Sequence, residues 1–181
     1  MSRFNDKIIL GTVQFGMDYG INNPNGKLSY NDSFKILDYA FKKGVRELDT
    51  ASNYGNSEVV IGSYIKQNPK KIFKINTKIS SKNESLESHL KSSLENLNIT
   101  KINKLIFHSL DIYNYYKPYL EKFNFKNKGK YFDQIGVSVY ENTEVEFLLK
   151  EKNIDVIQTP FNLFDNYIRR GNIYKKIKLS G

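Results

Sequence analysis

The sequence predicts an α/β fold in which a parallel sheet alternates with helices. Three observations predict it. Short apolar runs recur six times along the chain, and each is followed by a stretch with helically spaced apolar residues. The repeat length, roughly 25–30 residues, is that of one strand–helix unit joined to the next by a right-handed crossover. No linker or low-complexity tract interrupts the pattern, so the 181 residues read as one domain spanning 1–181.

The elements follow in order. Residues 7–12 (KIILGT) form a buried strand. Residues 30–43 form a helix with Phe34, Leu37, Ala40 and Phe41 on one face. Ser29 and Asp32 make a capping pair at its start, and Gly44 suits its C-terminal end. Residues 45–50 (VRELDT) are the second strand, and residues 57–67 the second helix, with Ile61, Tyr64 and Ile65 inward. Residues 72–79 (IFKINTKI) are the third strand. The next helix, 84–97, repeats Leu86, Leu90, Leu94 and Leu97 along one face. His89, among polar neighbours on it, is expected in solvent. Residues 102–108 (INKLIFH) are the fourth strand, and 113–125 a helix kinked at Pro118. Residues 134–139 (QIGVSV) are the fifth strand. A helix over 143–152 opens with a Thr143/Glu146 capping pair. Residues 155–159 (DVIQT) are the sixth strand. Residues 166–179 suit one more helix, with Gly171 a point of breakage.

Composition narrows the function. Apolar residues make up 39% and charged residues 26%, which suits a globular chain, and the 13 Tyr and 12 Phe exclude a disordered one. With no cysteine, disulfides, thiolate metal sites and cysteine nucleophiles are excluded; no metal site is expected. No apolar run approaches the roughly 18 residues of a membrane span, and the first ten residues are too short in apolar content for a signal peptide. The expectation is a cytoplasmic protein with no membrane partner. The net charge of +9 is almost all lysine, with arginine only at Arg3, Arg46, Arg169 and Arg170. Arginine is the residue that forks onto guanine and phosphate, so no nucleic-acid partner is expected.

Two architectures fit the alternation, a doubly wound open sheet and a (β/α)8 barrel; both gather their chemistry at the C-terminal strand ends. The dinucleotide-binding version of the first wants G-x-G-x-x-G after strand one, but Gly11, Gly16 and Gly20 are spaced too widely. A barrel is therefore favoured. Its strand ends carry Gly11-Thr12-Val13-Gln14, Asp49 with Tyr54 five residues on, Lys78, His108, Ser138, and Gln158 with Asn162 beyond. Each has a plain structural reading: Asp49 as a loop cap, Tyr54 as a semi-buried tyrosine, His108 as a core histidine, Gln158 and Asn162 as loop ties. Together they make coherent chemistry. A lysine ammonium beside a tyrosine is expected to lower the phenol pKa, a carboxylate holds the lysine, and a histidine addresses the substrate oxygen. Such a set polarises a carbonyl and delivers a proton as a hydride arrives.

The sequence resembles the aldo-keto reductase family. The segments are LGTVQFG at 10–16, LDTASNYGNSEVVIG at 48–62, INTKI at 75–79, LIFHS at 105–109, IGVSVY at 135–140 and VIQTPFNLFD at 156–165, in the family's order across essentially the whole chain. The resemblance implies a (β/α)8 (TIM) barrel and NADPH-dependent reduction of an aldehyde or ketone to an alcohol. It matches Asp49, Tyr54, Lys78 and His108 to the catalytic tetrad, with Tyr54 the proton donor. It matches Gly11, Thr12 and Val13 to the segment lining the nicotinamide, and Ser138 and Gln158 to the positions that bind its carboxamide. Val139 stands where the family often has Asn. The long first loop, running to Lys27, is similar to a bacterial branch found among sugar and surface-polysaccharide genes, which points to a sugar-like carbonyl.

Six units are fewer than the eight that close such a barrel, so the reading is an incomplete (β/α)8 barrel, truncated after its sixth unit. The resemblance assigns the clamp on the cofactor phosphates to the two missing units, so weak NADPH binding with little preference over NADH is expected. Strands one and six would present open edges, inviting self-association or a partner chain. The alternative function is a non-catalytic or partner-dependent module on a partial barrel.

Overall fold

The computed structural model describes residues 7–180; Arg3 and the first six residues of the 1–10 stretch lie outside it. Six strands form one sheet in the order of the chain: β1 Ile9–Gly11, β2 Glu47–Asp49, β3 Lys74–Ile79, β4 Ile102–Phe107, β5 Phe132–Ser138 and β6 Val156–Gln158. Every neighbouring pair is parallel. The sheet is curled: the side chain of Gln158, on β6, reaches Asp49, on β2, with Nε2 3.4 Å from Oδ1. This is six-eighths of a (β/α)8 barrel, with β1 and β6 outermost among the described strands.

Helices connect the strands. The first is a four-residue turn not foreseen in the sequence, α1 Val13–Gly16. It is followed by α2 Tyr30–Lys42, α3 Ser57–Gln67, α4 Leu86–Leu97, α5 Leu110–Tyr116, α6 Leu120–Asn127, α7 Asn142–Leu148 and α8 Tyr167–Ser180. The α2 cap is as expected, with Ser29 Oγ accepting from Asp32 N and Gly44 in a positive-φ conformation.

Four local differences have physical causes. The expected single helix over 113–125 is two, α5 and α6. Ser109 caps α5 three residues earlier than expected, and a 3₁₀ turn at Lys117–Tyr119 accommodates Pro118, which has no N–H to give. Helix α7 starts one residue early because Glu141 and Glu144 form its capping box, not Thr143 and Glu146. Gly171 does not break α8, where packing decides over propensity: Ile173 is buried, and Arg170, 1% exposed, is locked by Asp165 and by donation to Tyr140 O at 2.6 Å. His89 is not in solvent. It is buried on α4, with Nε2 3.2 Å from Tyr116 Oη and the two rings edge to face. The tyrosine supplies the polar partner that burial demands, and the polar neighbours in sequence point elsewhere.

Two apolar clusters fill the layer between sheet and helices. One gathers Phe15, Leu37, Leu48, Ile61, Tyr64 and Ile75 around β1–β3. The other gathers Leu90, Leu105, Phe107, Tyr113, Phe123, Phe132 and Val145 around β3–β6. On the concave face lies a polar cluster, in which Asn76 Nδ2 donates to Glu47 Oε1 at 2.7 Å, Lys104 pairs with Glu47, and Asn103 donates to Asn76 Oδ1 at 2.9 Å. The Glu47-Leu48-Asp49 strand thus alternates barrel interior, helix layer, barrel interior.

Leu48→Ala, at a site with 0% exposure, is expected to cost about 2–5 kcal/mol. Ile72→Ala, at a 75% exposed position, is expected to stay within about 0.5 kcal/mol. Urea unfolding midpoints of the two variants check this.

Candidate active site

The site is built on the C-terminal rim of β2, β3 and β4. Register pairs Asp49 with Asn76, so Lys78 stands two residues farther on the same sheet face. Its ammonium pairs with Asp49 Oδ2 and donates to Thr50 O at 3.2 Å. The Lys78 side chain is 3% exposed, and Asp49 beside it 16%. His108 follows β4 directly, its backbone N–H donating to Ile79 O at 2.9 Å.

Tyr54 arrives on the loop after β2. Tyr54 N donates to Ala51 O and Ser57 N to Tyr54 O, both at 3.0 Å, which winds the loop into the start of α3. Lys78 Nζ lies 5.2 Å from the Tyr54 ring centroid, and the His108 ring stands edge to face at 5.8 Å and 76°. The four residues matched to the tetrad, drawn from three strand ends, therefore share one locus.

Their electrostatics follow from burial. Desolvation pulls the Lys78 ammonium below the usual lysine range, with Asp49 opposing it. Desolvation, and then the charge of Lys78, hold His108 below the ordinary imidazole value, so it is neutral at pH 7. The expected lowering of the Tyr54 pKa is reversed: burial and then the Asp49 carboxylate push the phenol up to about 12. Lys78 is engaged by Asp49, and a phenolate beside that carboxylate would be poorly solvated and repelled.

The other matched positions divide. Gly11 ends β1 in register with Asp49, exposed, and a Cβ placed on it would meet nothing within 4 Å. Val13, half-buried, opens α1. Thr12 is buried and its hydroxyl donates to Asp49 O at 2.9 Å, so its side chain serves the framework beneath the site. Ser138 and Gln158 are paired on β5 and β6, half-buried. Gln158 Nε2 addresses Asp49, while its Oε1 is buried with no hydrogen-bond donor. Asn162 keeps the structural role: its Oδ1 accepts from Phe164 N at 2.9 Å and Asp165 N at 3.0 Å.

The frame around the site was not read from the sequence. Thr50 Oγ1 donates to Ser57 Oγ at 3.0 Å, and Ser57 Oγ donates to Thr12 O at 2.9 Å. With the Thr12–Asp49 bond, these bonds tie the start of α3 to β1 and β2. Buried Glu58 accepts from Thr77 Oγ1 at 2.6 Å, fixing the residue before Lys78 to α3. Gly16 and Gly55 pack backbone on backbone. A Cβ on Gly16 would lie 1.6 Å from Tyr54 O, and one on Gly55, whose φ is +54°, 2.1 Å from Gly16 O. The signal was present, since both glycines fall inside the segments LGTVQFG and YGNSE, but the contact between them is a matter of three dimensions.

A parallel sheet curled in chain order, with an ion pair, a tyrosine and a histidine on its C-terminal rim, defines a protein of the (β/α)8-barrel fold class. The model for the aldo/keto reductase family matches residues 7–178. The chain belongs to the aldo/keto reductase family. Solved structures share the fold. One from Pseudomonas aeruginosa, assigned to the aldo-keto reductases, is 24% identical with a TM-score of 0.73, over 94% of this chain and 68% of that one. The holo form of an aldo-keto reductase from Bacillus halodurans is 19% identical with a TM-score of 0.73, over 96% and 58%. An aldo-keto reductase of the silkworm Bombyx mori is 22% identical with a TM-score of 0.61, over 91% and 56%. The chain thus spans between 56% and 68% of the length of these three relatives. A search of the curated proteins found no match.

Two outcomes are expected. Gly16→Ala should push Tyr54 off the Lys78–His108 locus and lower the unfolding midpoint, which a crystal structure and a thermal melt of the variant would record. Stability should also fall as the pH drops from about 7 to 5. Burial holds both His89 and His108 below the ordinary imidazole value of 6.5, so the unfolded chain binds more protons in that interval. Urea midpoints at pH 8, 6.5 and 5 check the sign.

Proposed function

We propose that the chain reduces an aldehyde or ketone to an alcohol at the Asp49–Tyr54–Lys78–His108 rim. The observation that carries the reading is the convergence of these four side chains, from three consecutive strand ends, on one locus. A general acid for this reaction must hold its proton until the carbonyl oxygen gains charge. Tyr54, with its phenol pushed up to about 12, holds it across the ordinary pH range. Lys78 Nζ, 5.2 Å from the Tyr54 ring centroid, sets an ammonium beside the phenol, countered in part by the Asp49 carboxylate with which it pairs.

A reduced nicotinamide dinucleotide, NADPH by family membership, would supply the hydride when bound. The residues present fit such a group at its nicotinamide end. The buried, unpartnered Oε1 of Gln158 is an acceptor of the kind a carboxamide N–H needs, and Ser138 stands beside it in register. Gly11 leaves open space where a side chain would otherwise stand. Thr12 would act from below, by holding Asp49, rather than by lining the ring. The substrate belongs to the small carbonyl compounds, and the weak NADPH binding and cytoplasmic setting expected from the sequence are part of this proposal. So is association through the outer edges of β1 and β6.

The test is oxidation of NADPH by the purified chain with a panel of aldehydes and ketones, for wild type and Tyr54→Phe. The variant is expected to lose about 10²–10⁴-fold in turnover, the usual contribution of a general acid, with cofactor affinity unchanged. Equal turnover in the two proteins would remove Tyr54 from the role.

A further inference from the structure

A cavity of about 530 Å³ opens in the helix layer, between the start of α4 and the turn from α5 to α6. Its size suits a small molecule, and none of its lining residues belongs to the candidate active site. The floor is apolar, with Leu86, Tyr116 and Phe123 buried there. The Tyr116 hydroxyl is spent within the protein: it donates to Glu84 O at 2.6 Å and has His89 Nε2 at 3.2 Å. One aromatic wall is open. Lys82 Nζ already lies 5.7 Å from the Tyr115 ring centroid, whereas Tyr119, 62% exposed, has no ring or cation against it among the described residues. The charges at the mouth are also unspent. Lys82 pairs with Asp111 at 2.6 Å, but Glu84 and Glu87 on the α4 side and Lys122 on the α6 side enter no ion pair among the described residues. Two carboxylates thus face one ammonium across an apolar cavity, with no bond joining them.

We propose that this cavity is a second binding site and that its ligand is a free aromatic amino acid. The ring lies on the Leu86–Tyr116–Phe123 floor with Tyr119 beside it, an offset or edge-on arrangement that aromatic pairs favour. The α-ammonium donates to the carboxylates of Glu84 and Glu87, and the α-carboxylate accepts from Lys122 Nζ. A zwitterion answers both rims at once. An aryl carboxylate leaves the glutamates unanswered, and an aryl amine leaves the lysine. The rim is exposed, so each charge pair adds little, and burial of the ring supplies most of the affinity.

The test is titration of ¹⁵N-labelled full-length chain with L-phenylalanine, followed by amide proton–nitrogen NMR. Saturable shifts are expected at the amides of Leu86, Glu87, Tyr119 and Lys122, and none at Asp49 or Lys78. Phenylacetate, which lacks the ammonium, 2-phenylethylamine, which lacks the carboxylate, and glycine, which lacks the ring, should each bind several-fold more weakly. This analogue series needs no variant. Three exposed positions then assign the parts. Lys122→Gln should weaken phenylalanine several-fold and leave 2-phenylethylamine unchanged. Glu87→Gln should weaken phenylalanine and not phenylacetate. Tyr119→Ala should weaken all three ring-bearing compounds. Absence of saturable shifts at the cavity amides, or glycine binding as tightly as phenylalanine, overturns the site. Phenylacetate or 2-phenylethylamine binding as tightly as phenylalanine makes the occupant a simple aryl anion or cation and overturns the amino-acid assignment, as does unchanged phenylalanine binding in both Lys122→Gln and Glu87→Gln. The readout needs no turnover, so it stands apart from the reductase reading.

Discussion

A buried ammonium is the constraint on which the site depends. Lys78 is almost wholly removed from water, and a lysine so placed stays charged only if a carboxylate answers it. Asp49 is that carboxylate, and much of the surrounding structure holds Asp49 in place. Thr12 bonds its backbone carbonyl, Gln158 reaches its second oxygen from four strands away, and the β2–β3 register sets the spacing to Lys78. Removing one partner of such a pair strands a charge, at a cost of about 3–5 kcal/mol when burial is complete. The same pair bears on Tyr54: after burial, the carboxylate that holds Lys78 is what most discourages the phenolate.

The polar residues inside the curl fall in two groups along the strands. Glu47, Asn76, Asn103 and Lys104 satisfy one another two residues below Asp49 and Lys78. On β2 and β3 this is the pleat at work: Glu47 and Asp49 share a face, as do Asn76 and Lys78, with Leu48 and Thr77 facing the helices. Charges at both levels are partnered within the barrel, as low-dielectric surroundings require.

Much of this was legible in the sequence because parallel strands, covered on both faces, leave apolar runs that stand out from amphipathic helices. All six strands were found, five of them longer in the reading than in the structure, since residues such as Ile72 continue past the ladder; β5 runs the other way, starting at Phe132 and ending at Ser138. The candidate positions Asp49, Lys78 and His108 stand out because each is a polar residue at or next to the end of an apolar run, and Tyr54 because it falls in the segment that follows the second of these runs. What escaped depended on contacts between distant segments. His89 looks solvent-bound until Tyr116, 27 residues on, is folded against it. Pro118 signals a kink, but not that Ser109 would start the helix early. The phenol shift of Tyr54 runs against the reading because its largest cause is burial, which the sequence positions of Asp49 and Lys78 do not reveal.

The order of the strands bears on how the chain is made. Each strand pairs with the one before it in sequence, so the sheet needs no strand to wait for a distant partner. As the polypeptide leaves the ribosome, every new unit meets a template that has already emerged, and its helix can cover the seam before the next strand arrives. Loop closures stay short, and apolar faces are shielded one at a time. The His108 ring is then the last part of the four-residue locus to be delivered. Asp49, Tyr54 and Lys78 have already emerged when β4 carries it in.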